Sequence, residues 1–259
     1  MDWRISVFLA AALACGGVAQ AAAPPCAGDV EISDAPIVRV EHNDVLILRD
    51  GRALHLEGIR VPRAAQDRAP QALDDQSFNT LNALAKDQDV VARAMWPKED
   101  RYDRVRAQVF TEDGTWLQAE LLRRGLARVD IAPDRGECYR ELYDAEAVAR
   151  AAHAGIWSSP AYAIRTPDTL KDDTGTFQVV FGKVLNTDLR DGRAYLNFGT
   201  DWKTDFTVTI SPDDMKTFRR MGVDPLGYKD RLVRVRGIVQ FLNGPEIEIG
   251  NPKQIELLQ

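Results

Sequence analysis

Leu54 to Arg63 read "LHLEGIRVPR": a short alternating strand, a glycine, then a proline-anchored turn. A strand end that runs into such a turn is a good rim for a metal-assisted hydrolytic site, because it holds side chains rigidly at the edge of a sheet. That chemistry wants carboxylates in the turn, and this turn offers Arg60 and Arg63. Within reach in sequence are Asp44, just before an apolar strand, and Arg104, inside "DRYDRV". The constellation therefore contains one acid, one histidine (His55) and three arginines.

Other chemistries have thinner support. The histidines are His42, His55 and His153, and none has metal-ligand spacing to a cysteine, so a zinc site is not expected. The net charge of −6 over 259 residues argues against coating of nucleic acid by bulk electrostatics, while leaving a local basic patch open.

The elements that must position these residues follow from pattern. Val45–Leu48 is an apolar strand, Asp50-Gly51 a hairpin turn, and Leu54–Glu57 a returning strand of period two. Leu54 and Leu56 then face one side of the sheet and His55 and Glu57 the other. Leu73, Phe78, Leu81 and Leu84 mark a helix, Val90-Val91 and Val105–Phe110 two strands, and Leu117–Leu126 a second helix. A third helix around Cys138–Ala154 repeats small or apolar residues at 138, 142, 145, 149 and 152, with Gly155 as its C-cap.

Ser158 to Thr176 carries prolines, small polar residues and mixed charge without apolar periodicity, and reads as a linker. Beyond it come strands at Phe177–Leu185, Ala194–Phe198 and Phe206–Ile210. A helix over Asp213–Met221 follows, with Ser211 as N-cap and Pro212 at its first position, then strands at Arg231–Arg236 and Glu246–Ile249. Three strands, a helix and two strands is the order of an OB-fold barrel. Arg231, Arg234 and Arg236 read as solvated strand residues. Phe177, Tyr195, Phe198, Trp202 and Phe206 either fill that barrel or stack bases.

With the elements placed, "NDVLILRDGRALHLEGIRVP", "DRYDRVRAQVFTEDGTWLQAELLRRGLARV" and "ELYDAEAVARAAHAGIW" resemble the staphylococcal-nuclease (thermonuclease) family over roughly residues 36–158. The resemblance implies an α+β, mainly β fold: an OB-type nuclease-like barrel with packed helices, here followed by a second, small OB-fold-like barrel. It also implies phosphodiester hydrolysis with one Ca²⁺, held by aspartates, with a glutamate base and two arginines on the phosphate. On this sequence Asp44 matches the first metal aspartate. Arg60 stands where the second belongs, Val61 where a threonine follows, and Arg63 in place of the glutamate. His55 replaces the first arginine, Arg104 matches the second, and Tyr102 fits the family's aromatic.

An arginine about 5 Å from a divalent cation repels it by roughly 7 kcal/mol at an effective dielectric near 20, and one aspartate does not offset two. The expectation is a non-catalytic protein with a binding or scaffolding role in the cell envelope and a degenerate site with no cofactor, in which Arg60, Arg63 and Arg104 bind an anion or pair internally. The competing expectation is a calcium-dependent nuclease on DNA or RNA, with Asp44 on the metal and Arg104 and His55 as catalytic groups. Candidate partners are nucleic acid or another anionic ligand.

The N-terminus reads as a secretory signal peptide over residues 1–23. Arg4 precedes an apolar run too short to span a bilayer, and small-x-small cleavage patterns stand at Ala19-Gln20-Ala21 and Ala21-Ala22-Ala23. Cys15 after Ala12-Leu13-Ala14 keeps a lipoprotein signal open as the alternative. The mature chain, with no transmembrane segment, is expected to be periplasmic or secreted. Its remaining cysteines, Cys26 and Cys138, are expected to form a disulfide. The expected organisation is a nuclease-like domain over 36–158, a linker over 159–175 and an OB-fold-like domain over 176–259.

Overall fold

The computed structural model describes residues 23–41, 44–170, 172–201 and 203–258. The signal-peptide stretch up to residue 22 with Cys15, His42 and Trp202 lie outside them. The fold is mixed α+β and mostly strands.

β1 (Asp29–Glu41), β2 (Val45–Leu48), β3 (Ala53–Leu56), β5 (Asp89–Ala94) and β6 (Val105–Thr111) close a five-stranded barrel in the order β1-β2-β3-β6-β5. β1 is long enough to pair with both β2 and β5, and its register shifts at bulges let it bend from one to the other. β3 and β6 run parallel, aligning Leu54 with Val105 and His55 with Arg106. Leu46, Leu48, Leu54, Leu56, Ala107 and Val109 fill the interior. β4 (Ile59–Arg60) leaves the barrel to pair with β7 (Arg128–Val129).

Around this barrel pack α1 (Ala64–Asp67), α2 (Gln71–Ala85), α3 (Leu117–Arg123) and α4 (Tyr139–Ala151). α4 buries Leu142, Ala145, Glu146 and Ala149. It ends earlier than its small-residue repeat suggests. Ala152 is exposed and caps the helix, His153 turns left-handed, and Gly155 opens a following 3-10 turn instead of serving as C-cap. Cys138 is bonded to Cys26, tying the segment before β1 to the start of α4.

The second unit comprises β8 (Phe177–Lys183), β9 (Asn186–Arg190), β10 (Arg193–Asn197), β11 (Thr207–Ile210), α5 (Met215–Arg220), β12 (Leu232–Phe241), β13 (Pro245–Glu248) and β14 (Ile255–Leu258). β9 pairs with β10, β10 with β11, β11 in parallel with β13, β13 with β12, and β12 with β8. Taking β8 and β9 as one strand interrupted at Val184-Leu185, this is the connectivity of the first barrel again, with a helix after the third strand. β14 is an addition on the outside of β12. α5 starts later than the Ser211-Pro212 signal suggests. Residues 212–214 form a turn, and the Ser211 hydroxyl accepts from the Asp214 N–H at 3.1 Å. Phe198 and Phe206 fill the interior with their rings 4.9 Å apart, whereas Phe177 is buried outside it, under the Arg60 and Arg128 guanidinium groups.

Residues 159–170 and 172–175 are packed between the two units. Tyr162 and Leu170 are buried, and Arg165 bridges Val180 of β8. Tyr162 joins Ala149, Ile156, Trp157 and Val179 in an apolar cluster drawn from both units. The solvated-strand reading of Arg236 is corrected here. The side chain is fully buried, donates to both carboxylate oxygens of Glu146 at 2.9 and 3.0 Å and to Glu256 at 2.5 Å, and also reaches the Val129 carbonyl. That face of β12 meets α4, so the arginine is buried against a partner 90 residues away. Arg234 is likewise paired, with Glu256 at 3.0 Å.

Candidate functional site

A cleft of about 560 Å³ lies between the units, and the "EGIRVPR" turn forms one side of it. Four structural choices place the lining. Period two in β3 buries Leu54 and Leu56 and turns His55 and Glu57 into the cleft. Gly58, at φ +86°, turns the chain where a Cβ would stand 2.7 Å from Leu142. β4 then sets Arg60 beside Arg128. Asp44, also left-handed at φ 60°, enters from the β1–β2 turn with 1 % of its surface exposed.

The acids and cations there are mostly spent on one another. His55 sits between two carboxylates, with Nε2 3.5 Å from Asp44 and Nδ1 3.9 Å from Glu57. Arg63 approaches the same Asp44 oxygen at 3.6 Å. Both Glu57 oxygens accept from Arg106, at 2.8 and 3.0 Å, and the opposite edge of that guanidinium is held by Asp134. Arg60 donates to Gln66 at 3.2 Å, lies 3.8 Å from Asp67 and covers the Phe177 ring. Arg104 pairs with Asp100 at 2.6 Å and covers Tyr102. It does not line the cleft, although Asp100 does.

Of the residues singled out from sequence, the fold thus gathers Asp44, His55, Arg60 and Arg63 and sets Arg104 to one side. Arg106 and Asp130 were missed. Arg106 sits two positions beyond Arg104, inside β6, while Arg104 precedes that strand. Asp130 follows β7 in no motif, and only the β4–β7 pairing brings it to the cleft. Burial pushes its carboxyl above the usual range, opposed by Arg60 and Arg128 and reinforced by Asp44 and Glu57.

Burial disfavours the charged imidazole of His55, yet Asp44 and then Glu57 outweigh it against Arg104, and its pKa is raised. A group with a raised folded pKa adds stability that is full below its unfolded value, about 6.5, and is lost as pH rises through the folded value. Wild type should therefore exceed His55→Gln in unfolding free energy at pH 5, with the gap closing above neutrality. Urea titrations across that range measure it, and a gap that widens with pH would refute the assignment.

Calcium takes six or more oxygen ligands. The donor set at Asp44 does not fit it. Both Asp44 oxygens are buried without a hydrogen bond among the described residues, but two cations flank them and Glu57 is committed to Arg106. Among the described residues, the only cluster of three metal-ligating side chains is Cys26, Cys138 and Glu141, and its cysteines are disulfide-bonded. No described helix is long and apolar enough to cross a membrane.

A comparison with curated proteins finds no match. Residues 53–159 match the family model described as Staphylococcal nuclease homologue, a range that begins with β3 and leaves Asp44 ahead of it. Together with the closed barrel, that match establishes that this chain carries a staphylococcal nuclease homologue domain over residues 53–159.

Proposed function

We propose that this is an exported, non-catalytic member of the family whose cleft binds an anionic ligand without calcium. The observation that carries the reading is the guanidinium pair. Arg60 and Arg63 both line the cleft, and the Nε of each is buried with no acceptor among the described residues. A buried donor without an acceptor is costly, and a phosphate or sulfate oxygen would satisfy it. The disulfide and the leader pattern support export to the periplasm or beyond.

Ligands that bind the native state raise its melting temperature. Millimolar calcium should leave that temperature unchanged and inorganic phosphate should raise it, with the gain reduced in Arg60→Gln and Arg63→Gln. The double change Arg60→Asp with Arg63→Glu should confer weak calcium binding by removing both repulsive charges. Assays on single-stranded DNA and RNA, with calcium and with chelator, complete the test. Calcium-dependent cleavage that disappears in Asp44→Ala would overturn the reading in favour of a nuclease with an altered site.

A further inference from the structure

The two sides of the cleft differ in composition. Its cationic lining, His55, Arg60, Arg63 and Arg106, comes entirely from the nuclease-like unit, where it stands among the carboxylates of Asp44, Glu57, Asp100 and Asp130. The polar side chains contributed by the second unit are Asp214, Gln240, Glu248 and Gln254, with no lysine or arginine among them. Asp214 and Glu248 each use one oxygen on a neighbour, Ser211 and Arg193 respectively. No other hydrogen bond to their second oxygens is found among the described residues.

This second wall is fixed. Asn251 donates to the carbonyls of Ala132 and Arg135, and Lys253 to that of Gly136. A Cβ on Gly250 would stand 2.5 Å from the Pro133 side chain, so the walls already touch there. The buried Arg236–Glu146 pair holds the units together behind the cleft.

We propose that the second unit selects the ligand, a small phosphate monoester whose remaining part carries hydroxyl or ammonium donors, in preference to a nucleic-acid strand. The inference rests on the anion-binding reading above. The anion-binding reading places a single phosphate on the side of Arg60 and Arg63. A strand would bring further phosphates against Asp214 and Glu248, where like charges repel and only Arg193, paired with Glu248, offsets them. Hydroxyl or ammonium groups are what those carboxylates and the Gln240 amide oxygen accept. The volume suits a ligand of that size.

Calorimetric titration of the full mature chain with inorganic phosphate, ribose 5-phosphate and an oligothymidylate tests this. Ribose 5-phosphate should bind about ten-fold or more tightly than phosphate, and the oligonucleotide no more tightly than phosphate. Gln240→Lys, at an exposed position of β12 on the second wall, should strengthen oligonucleotide binding about ten-fold relative to wild type. An oligonucleotide that outbinds the sugar phosphate in wild type overturns the proposal, as does a sugar phosphate no better than phosphate. Failure of phosphate itself to bind overturns the anion-binding reading beneath it.

Discussion

Replacing Glu146 by alanine is expected to cost about 3–5 kcal/mol of unfolding free energy, the loss that follows when one member of a buried ion pair is removed. Glu146 and Arg236 have no exposed side-chain surface, and Glu146 also accepts from the Val129 N–H at 2.8 Å and from Arg150 at 2.9 Å. The alanine leaves the buried guanidinium with Glu256 and the Val129 carbonyl alone, and strands the Val129 amide. Burial alone would raise the carboxyl pKa, but Arg236 prevails and the pKa is lowered. The contribution is therefore present above the ordinary carboxylate range and lost as pH falls through the depressed value. Urea denaturation followed by circular dichroism measures the cost. Arg236→Met combined with Glu146→Leu should recover most of it, because an apolar pair of similar volume needs no desolvation of charge. A loss under about 0.5 kcal/mol in the single variant would show that water reaches the pair. Since the pair joins α4 to β12, the same experiment reports whether the two units unfold together.

Opening the disulfide is the other large effect. Cys26 and Cys138 are 112 residues apart, and closing a loop of that length removes about 5 kcal/mol of denatured-state entropy in the chain-entropy model. The Cys26→Ala, Cys138→Ala double variant should unfold at a much lower urea concentration, with a loss of about 2–5 kcal/mol. The bond also anchors the segment before β1, the strand that joins β2 to β5 in the barrel. The effect should therefore appear as early exchange of β1 amides as well as a lower midpoint. Two free thiols in the protein, counted after denaturation without reductant, would remove the basis of this expectation.

Much of the scaffold was legible because it is written in neighbours. Alternation in "LHLE" set Leu54 and Leu56 inward and His55 and Glu57 toward the cleft. Asp50-Gly51 turns with Gly51 at φ 91°. The buried positions 138, 142, 145 and 149 of the third helix follow its four-and-three spacing. Local signals also failed in instructive places. Asp191-Gly192, both with positive φ, makes a hairpin of β9 and β10, although the alternation in "NTDLR" is too polar to announce a strand. β14 consists of Ile255–Leu258 and exists because the outer edge of β12 was open to pair.

What the sequence determined by itself is the barrel class and the cysteine pair. What only the tertiary structure decided is how the charged side chains are spent. Arg106 meets Glu57 across 49 residues, Arg128 meets Asp67 across the packed helices, and Asp130 reaches the cleft through a two-residue strand pairing. Periodicity is a property of adjacent residues, so it reports which face a side chain takes. The partner waiting on that face is chosen by packing, and for Arg236 it turned a solvated strand residue into a buried tie between the two units.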